Sequence, residues 1–163
     1  QISITMIKGT SVLSFIVCVA IPLLIGIISG MATSKTDGWY DSLIRPSFNP
    51  PGYLFGIVWP TLYILMGISL YLVWKSEPGN LRNIALWVFA IQMVLNFLWS
   101  FIFFRFHLIG WAFVEILLVW VSIVVMIIVF MRINRAAGFL QIPYLLWVTF
   151  ASVLNGAYWI QNR

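Results

Sequence analysis

Five long runs of almost uninterrupted apolar residues follow one another along the chain, at about 10–31, 53–74, 84–104, 109–131 and 139–160. Ionisable residues fall between them. Each run has about the 20 residues a helix needs to cross a hydrocarbon core of roughly 30 Å. The runs are continuous, whereas membrane barrels show shorter segments of alternating polarity. A lone apolar strand in lipid would leave its backbone groups unpaired. The pattern therefore predicts an all-α protein, one integral membrane bundle of five transmembrane helices spanning 1–163. The connections at 75–83, 105–108 and 132–138 are short and force antiparallel neighbours. The connection at 32–52 is the longest and the most polar.

Five spans place the two chain ends on opposite sides of the membrane. Lys8, Lys75, Arg82, Arg132 and Arg135 share one side; Lys35, Arg45, Arg105 and Arg163 share the other. Five against four leans towards a cytoplasmic N-terminal side in a bacterial host. The run from Ser11 to Ser29 is longer than the apolar part of a signal peptide and is expected to be a retained helix.

Composition narrows the chemistry. Of 163 residues, 63% are hydrophobic and 8% charged, against about 25% charged in soluble domains. The net charge of +5 comes from scattered basic residues with no basic run, so no nucleic-acid partner is expected and the lipid bilayer is. One cysteine, Cys18, and one histidine, His107, exclude an internal disulfide and a multi-histidine or multi-cysteine metal site. No metal and no obligatory cofactor are expected. No Ser-His-acid set, phosphate-cradling glycine loop or carboxylate pair on one helix is present.

Aromatic residues are 17% of the chain, and their placement suggests sites. Trp59, Tyr63 and Gly67 recur at i, i+4 and i+8 on one helix face, beside Pro60. They suit either helix packing or a flat hydrophobic slot. Gln92, Asn96 and Ser100 form a polar stripe on the third helix with Trp99 beside it; Trp147, Ala151 and Asn155 form one on the fifth. Amides in lipid must be satisfied, so both stripes should face inward. They suit interhelical bonds or a polar cavity wall. Segment 32–52 carries Trp39-Tyr40 and three prolines, Pro46, Pro50 and Pro51, which stiffen it. It reads as an interfacial anchor or as a lid over a cavity. Glu115 is the one acid inside an apolar run. It is expected to pair with Arg105 or meet His107 near one membrane face, or else to be a proton site in a small-molecule transporter. Gly26/Gly30 and Gly52/Gly56 have the spacing of close helix contacts. Leu154, Tyr158 and Arg163 fit the permissive cholesterol-contact pattern.

The string Trp39-Tyr40, Leu43, Arg45-Pro46-Ser47-Phe48-Asn49-Pro50-Pro51 resembles the translocator protein family, whose bacterial members are called tryptophan-rich sensory proteins and animal members peripheral benzodiazepine receptors. Leu62-Tyr63 with Met66-Gly67, Leu95-Asn96 with Trp99-Ser100, and Pro143-Tyr144-Leu145 with Trp147, Phe150-Ala151 and Leu154-Asn155 continue the resemblance in order. Arg45 replaces the family's usual lysine, and Phe48 stands where many members have tryptophan. The resemblance implies five helices around a cavity lined by Tyr40, Trp59, Tyr63, Asn96, Trp99, Trp147 and Ala151. It implies porphyrins (protoporphyrin IX, haem) and sterol-like molecules as ligands in stress-related sensing or transport, and a homodimer in the bacterial cell membrane, or in the mitochondrial outer membrane of a eukaryote. Trp59 and Trp147 match the pair linked in bacterial members to light-dependent porphyrin breakdown, which would make them catalytic.

Overall fold

A computed structural model describes residues 2–34 and 37–163, with side chains from Ser11 onward. Lys35 and the Lys8 side chain, both used in the charge count, lie outside the described residues. The elements in order are α1 (Ile2–Thr33), α2 (Trp39–Ser42), α3 (Gly52–Trp74), α4 (Asn80–Ser100), α5 (Ile109–Ile133), α6 (Arg135–Phe139) and α7 (Ile142–Gln161). No strand occurs among the described residues, and five helical spans are long and apolar enough to cross a membrane. The chain is an all-α integral membrane bundle.

Local chemistry sets the element ends. Pro51 precedes the first turn of α3 in an extended conformation, so its missing N–H is no loss to the helix. Gly38 opens α2 at φ 78, a left-handed conformation glycine adopts without strain. α4 passes into one wide π-type turn over Phe101–Arg105, where the Phe106 N–H donates to the Phe101 carbonyl at 2.9 Å.

Two boundaries differ from expectation. α1 reaches back to Ile2, because 2–9 continues the helix despite Lys8. The fifth run is not one helix from 139. The Asn134 side chain accepts from the Ala137 N–H at 3.2 Å and starts α6; the chain then turns at Leu140-Gln141, and α7 begins at Ile142. Pro143 sits in the first turn of α7, where it is tolerated but cannot continue a preceding helix.

Helix α1 packs on α3, α4 on α5, and α5 on α7. The backbones of α1 and α3 meet at Gly67, where a Cβ would collide with Val19 Cα and the Cys18 carbonyl. Of the expected glycine pairs, Gly26 lies under the Tyr63 ring, while Gly30, Gly52 and Gly56 face open space. Of the two close contacts between α1 and α3, one thus falls at Gly26, under a ring, and the backbone-to-backbone one at Gly67, outside both pairs.

Side-chain packing divides the bundle along its length. Towards the α3–α4 turn the interior is solid: Met66, Val73, Ala85, Ile123, Met126 and Phe130 are fully buried. Ser69 ties this end together by donating to the Ala137 carbonyl at 2.6 Å. Towards segment 32–52 a second cluster of Phe103, Ile109, Ala112, Leu154 and Tyr158 surrounds open space.

Candidate functional site

A cavity of about 280 Å³ lies in this second half. Its walls come from every membrane-spanning helix and from segment 32–52. Helix α3 contributes Trp59 and Tyr63, one turn apart and stacked at 5.6 Å and 29°. Helix α4 contributes Asn96 and Trp99, α7 contributes Trp147, Ala151 and Asn155, and Tyr40 enters from α2. All seven residues expected to line a cavity do so. The α1 wall is made of small residues: Gly30 presents open backbone beside Ser29 and Thr33, while Gly26 is covered by the Tyr63 ring. A flat molecule can therefore lie close against it.

The polar groups are arranged in chains. Tyr63 Oη donates to Asn96 Oδ1 at 3.1 Å. Asn96 Nδ2 donates to Tyr144 Oη at 2.8 Å, and Tyr144 Oη donates to Gln92 Oε1 at 3.0 Å. On the other side of the cavity, Trp99 Nε1 donates to Asn155 Oδ1 at 3.0 Å, and Asn155 Nδ2 donates to the Ile109 carbonyl at 3.0 Å. The amide stripes are thus interhelical bonds and cavity wall at once. The Trp147 Nε1–H and the Ser29 Oγ, on two residues of the wall, are buried without a partner. Buried polar groups in native interiors are otherwise almost always paired.

Segment 32–52 closes the cavity and is fastened to α7 and beyond. Tyr158 Oη donates to Asn49 Oδ1 at 2.9 Å, so the hydroxyl of Tyr40, 3.1 Å away, donates to Tyr158. Asn162 clamps Ile44 twice, accepting its N–H at 2.8 Å and donating to its carbonyl at 3.0 Å. Trp39 stacks on His107 at 4.0 Å and 13° and meets Phe103 edge-on at 5.9 Å. The Trp-Tyr pair therefore faces the protein, as a lid residue and its aromatic seat.

Three further features bear on the sequence reading. Glu115 does not pair with Arg105 or His107. It is buried on the α5 face shared with Ala112, Ile116 and Val119, and both its oxygens lack a partner. Helical spacing turns it inward, away from the exposed Arg105; among the described residues Arg45–Asp41 is the one ion pair, and it lies in segment 32–52. Leu154 and Tyr158 line the cavity, while Arg163 is exposed past the end of α7. These three do not share a surface. Phe55, Phe103, Phe104, Ser29 and Thr33 also line the cavity without a signal in the sequence, and Gly26 and Gly30, expected only as a helix contact, line it too. Tyr144, the hub of the polar chain, entered the sequence reading only as part of the family motif; it precedes Trp147 by three residues on α7.

The family model for the TspO/MBR family matches residues 18–160. The chain belongs to the TspO/MBR family. It is 39% identical over 149 residues to the tryptophan-rich protein TspO of Chlorobaculum tepidum, covering 88% of this chain and 92% of that protein. It is 38% identical to protein CrtK of Rhodobacter capsulatus, covering 80% and 82%. It is 37% identical to the human translocator protein, covering 77% of this chain and 75% of the relative. The TspO/MBR match spans all five membrane crossings in whole or in part, so the family and the cavity coincide in the same part of the chain.

Proposed function

We propose that this TspO/MBR protein is a membrane receptor for flat hydrophobic ligands, tetrapyrroles such as protoporphyrin IX and haem first and sterol-like molecules second, serving stress-related sensing or transport. The observation that carries this reading is the aromatic slot of Trp59, Tyr63, Trp99 and Trp147 beside the small-residue α1 wall at Ser29 and Gly30. Stacked rings supply flat dispersion surface, and the unpartnered Trp147 N–H supplies a donor for a carboxylate or carbonyl. The volume of about 280 Å³ sits at the lower edge of the 300–1,000 Å³ usual for small-molecule sites. A macrocycle therefore enters with displacement of segment 32–52, which is held by side-chain hydrogen bonds that can be exchanged.

Protoporphyrin IX titrated into the protein in nanodiscs, followed by tryptophan fluorescence in the dark, tests this. Saturable quenching is expected, with affinity about tenfold weaker in the Trp59→Phe/Trp147→Phe double variant, since each aromatic contact is worth about 0.5–1.5 kcal/mol. Unchanged affinity in that variant overturns the site. A second reading, light-dependent porphyrin degradation, is favoured by the indole pair itself: Trp59 and Trp147 wall one cavity, Trp59 against the Tyr144 ring and Trp147 against the Phe55 ring. Illumination distinguishes the two. A defined product abolished by either Trp→Phe change supports degradation; bleaching alone supports binding.

A further inference from the structure

A second concave surface lies on the outside of the bundle, between α1, α3 and α4. It is a groove of about 910 Å³, walled by Leu13, Val17 and Ile21 of α1, Trp74 of α3, and Ala90 and Met93 of α4. Its α1 wall runs from Leu13 to Ile28, a rise of about 22 Å at 1.5 Å per residue. One leaflet is about 15 Å of hydrocarbon. A chain entering at Leu13 reaches the midplane about ten residues along α1, past Val17 and Ile21.

The end of the groove at Trp74 carries a cation. The Arg82 guanidinium lies over the Trp74 ring at 5.1 Å. One of its terminal nitrogens donates to the Trp74 and Ser76 carbonyls, both at 3.2 Å, which fixes the side chain. Its Nε has no partner. Lys75, next to Trp74 in sequence, lies instead over the Tyr71 ring at 5.4 Å, away from the groove lining. Glu77 lies in the same turn, and no ion pair forms between it and either cation. A preorganised guanidinium at the membrane edge, above a groove of hydrocarbon dimensions, matches a phosphate on a fatty chain.

We propose that the α1–α4 groove is a binding site for one anionic phospholipid, its phosphate held by Arg82 over Trp74 and one acyl chain lying along Val17 and Ile21. The site is separate from the central cavity and does not depend on the ligand bound there. It lies on the same membrane side as Arg132 and Arg135, the side carrying the small excess of basic residues.

Native mass spectrometry of the detergent-solubilised protein, with phosphatidylglycerol and phosphatidylcholine added in equal amounts, tests the proposal. One phosphatidylglycerol is expected to be retained, favoured by about fivefold per engaged cation. Arg82→Gln keeps amide donors for the turn but loses the charge, and should erase the preference. Arg82→Lys should keep it. Ala90→Trp fills the groove from an exposed position and should lower retention of both lipids, while Arg132→Gln on the same membrane side changes neither. Equal retention of the two lipids by the unaltered protein overturns the proposal, as does an undiminished preference in Arg82→Gln. A lipid-free mass of two chains that Ala90→Trp splits also overturns it, because a second copy would then fill the groove. Unchanged helical circular dichroism in each variant shows that the bundle is folded.

Discussion

The half of the bundle near the α3–α4 turn and the half near segment 32–52 are built from the same helices, yet they solve different problems. In the first, Met66, Val73, Ile123, Met126 and Phe130 interdigitate without remainder. In the second, the inward positions of the same helices are Trp59, Tyr63, Asn96, Trp99, Trp147 and Asn155, and space remains between them. Flexible and branched side chains fill volume by adapting their rotamers. Rigid rings held by directional hydrogen bonds cannot collapse into a gap. The difference teaches that the cavity is kept open by the residues that wall it, while the packed half holds the helices at the distance those walls need.

That division can be broken from either side. The largest effect is expected from Phe130→Ala, which empties a fully buried site in the packed half. It should lower stability by about 3–5 kcal/mol in denaturant unfolding, with porphyrin affinity of the folded fraction little changed. An equal loss of affinity would show that the halves are not separable. Tyr144→Phe comes next. It leaves Asn96 Nδ2 and Gln92 Oε1 without their partner, at about 1–3 kcal/mol, and should weaken both stability and ligand affinity, because the hub joins the two halves. Tyr158→Phe removes the donor to Asn49 and the acceptor for Tyr40. It should speed ligand release about fivefold, by loss of about 1 kcal/mol of hydrogen bonding, read by stopped-flow fluorescence, with a fall in unfolding stability of similar size. The smallest effect is expected from Trp111→Phe, an exposed ring facing outward: within about 0.5 kcal/mol in stability and no change in binding. A binding defect there would mean that the outer surface, too, takes part in the site.

The sequence carried the membrane crossings because continuous apolar runs of helical length have one stable answer in lipid. It carried the cavity face because Trp59 and Tyr63, and Trp147 and Ala151, repeat at helical spacing, and because the motifs around them resembled a known family. What stayed hidden has physical causes. Leu140-Gln141 lies within an otherwise apolar run, so the break before α7 depends on the Asn134 cap and on Pro143 rather than on hydropathy. Glu115 follows both expected partners, His107 and Arg105, near the same end of α5, but the rotation of α5 decides its direction, and rotation is a packing result. The hydrogen-bond chain through Tyr144 needs three helices in register. Gly67 was seen as part of an aromatic face; its contact with Val19 required the crossing point of α1 and α3.

The π-type turn at Phe101–Arg105 has a consequence for how this region tolerates change in length. A π turn is an α-helix carrying one surplus residue. Deleting a single residue there would let α4 run on as an ordinary helix, and every following position would swing by about 100° around its axis. Phe103, now stacked on Trp99 at 5.3 Å, would leave the cavity, and His107 would lose Trp39. The surplus residue acts as a phase setting for the cavity's mouth, so this stretch should accept substitutions of similar bulk far more readily than the loss of one residue.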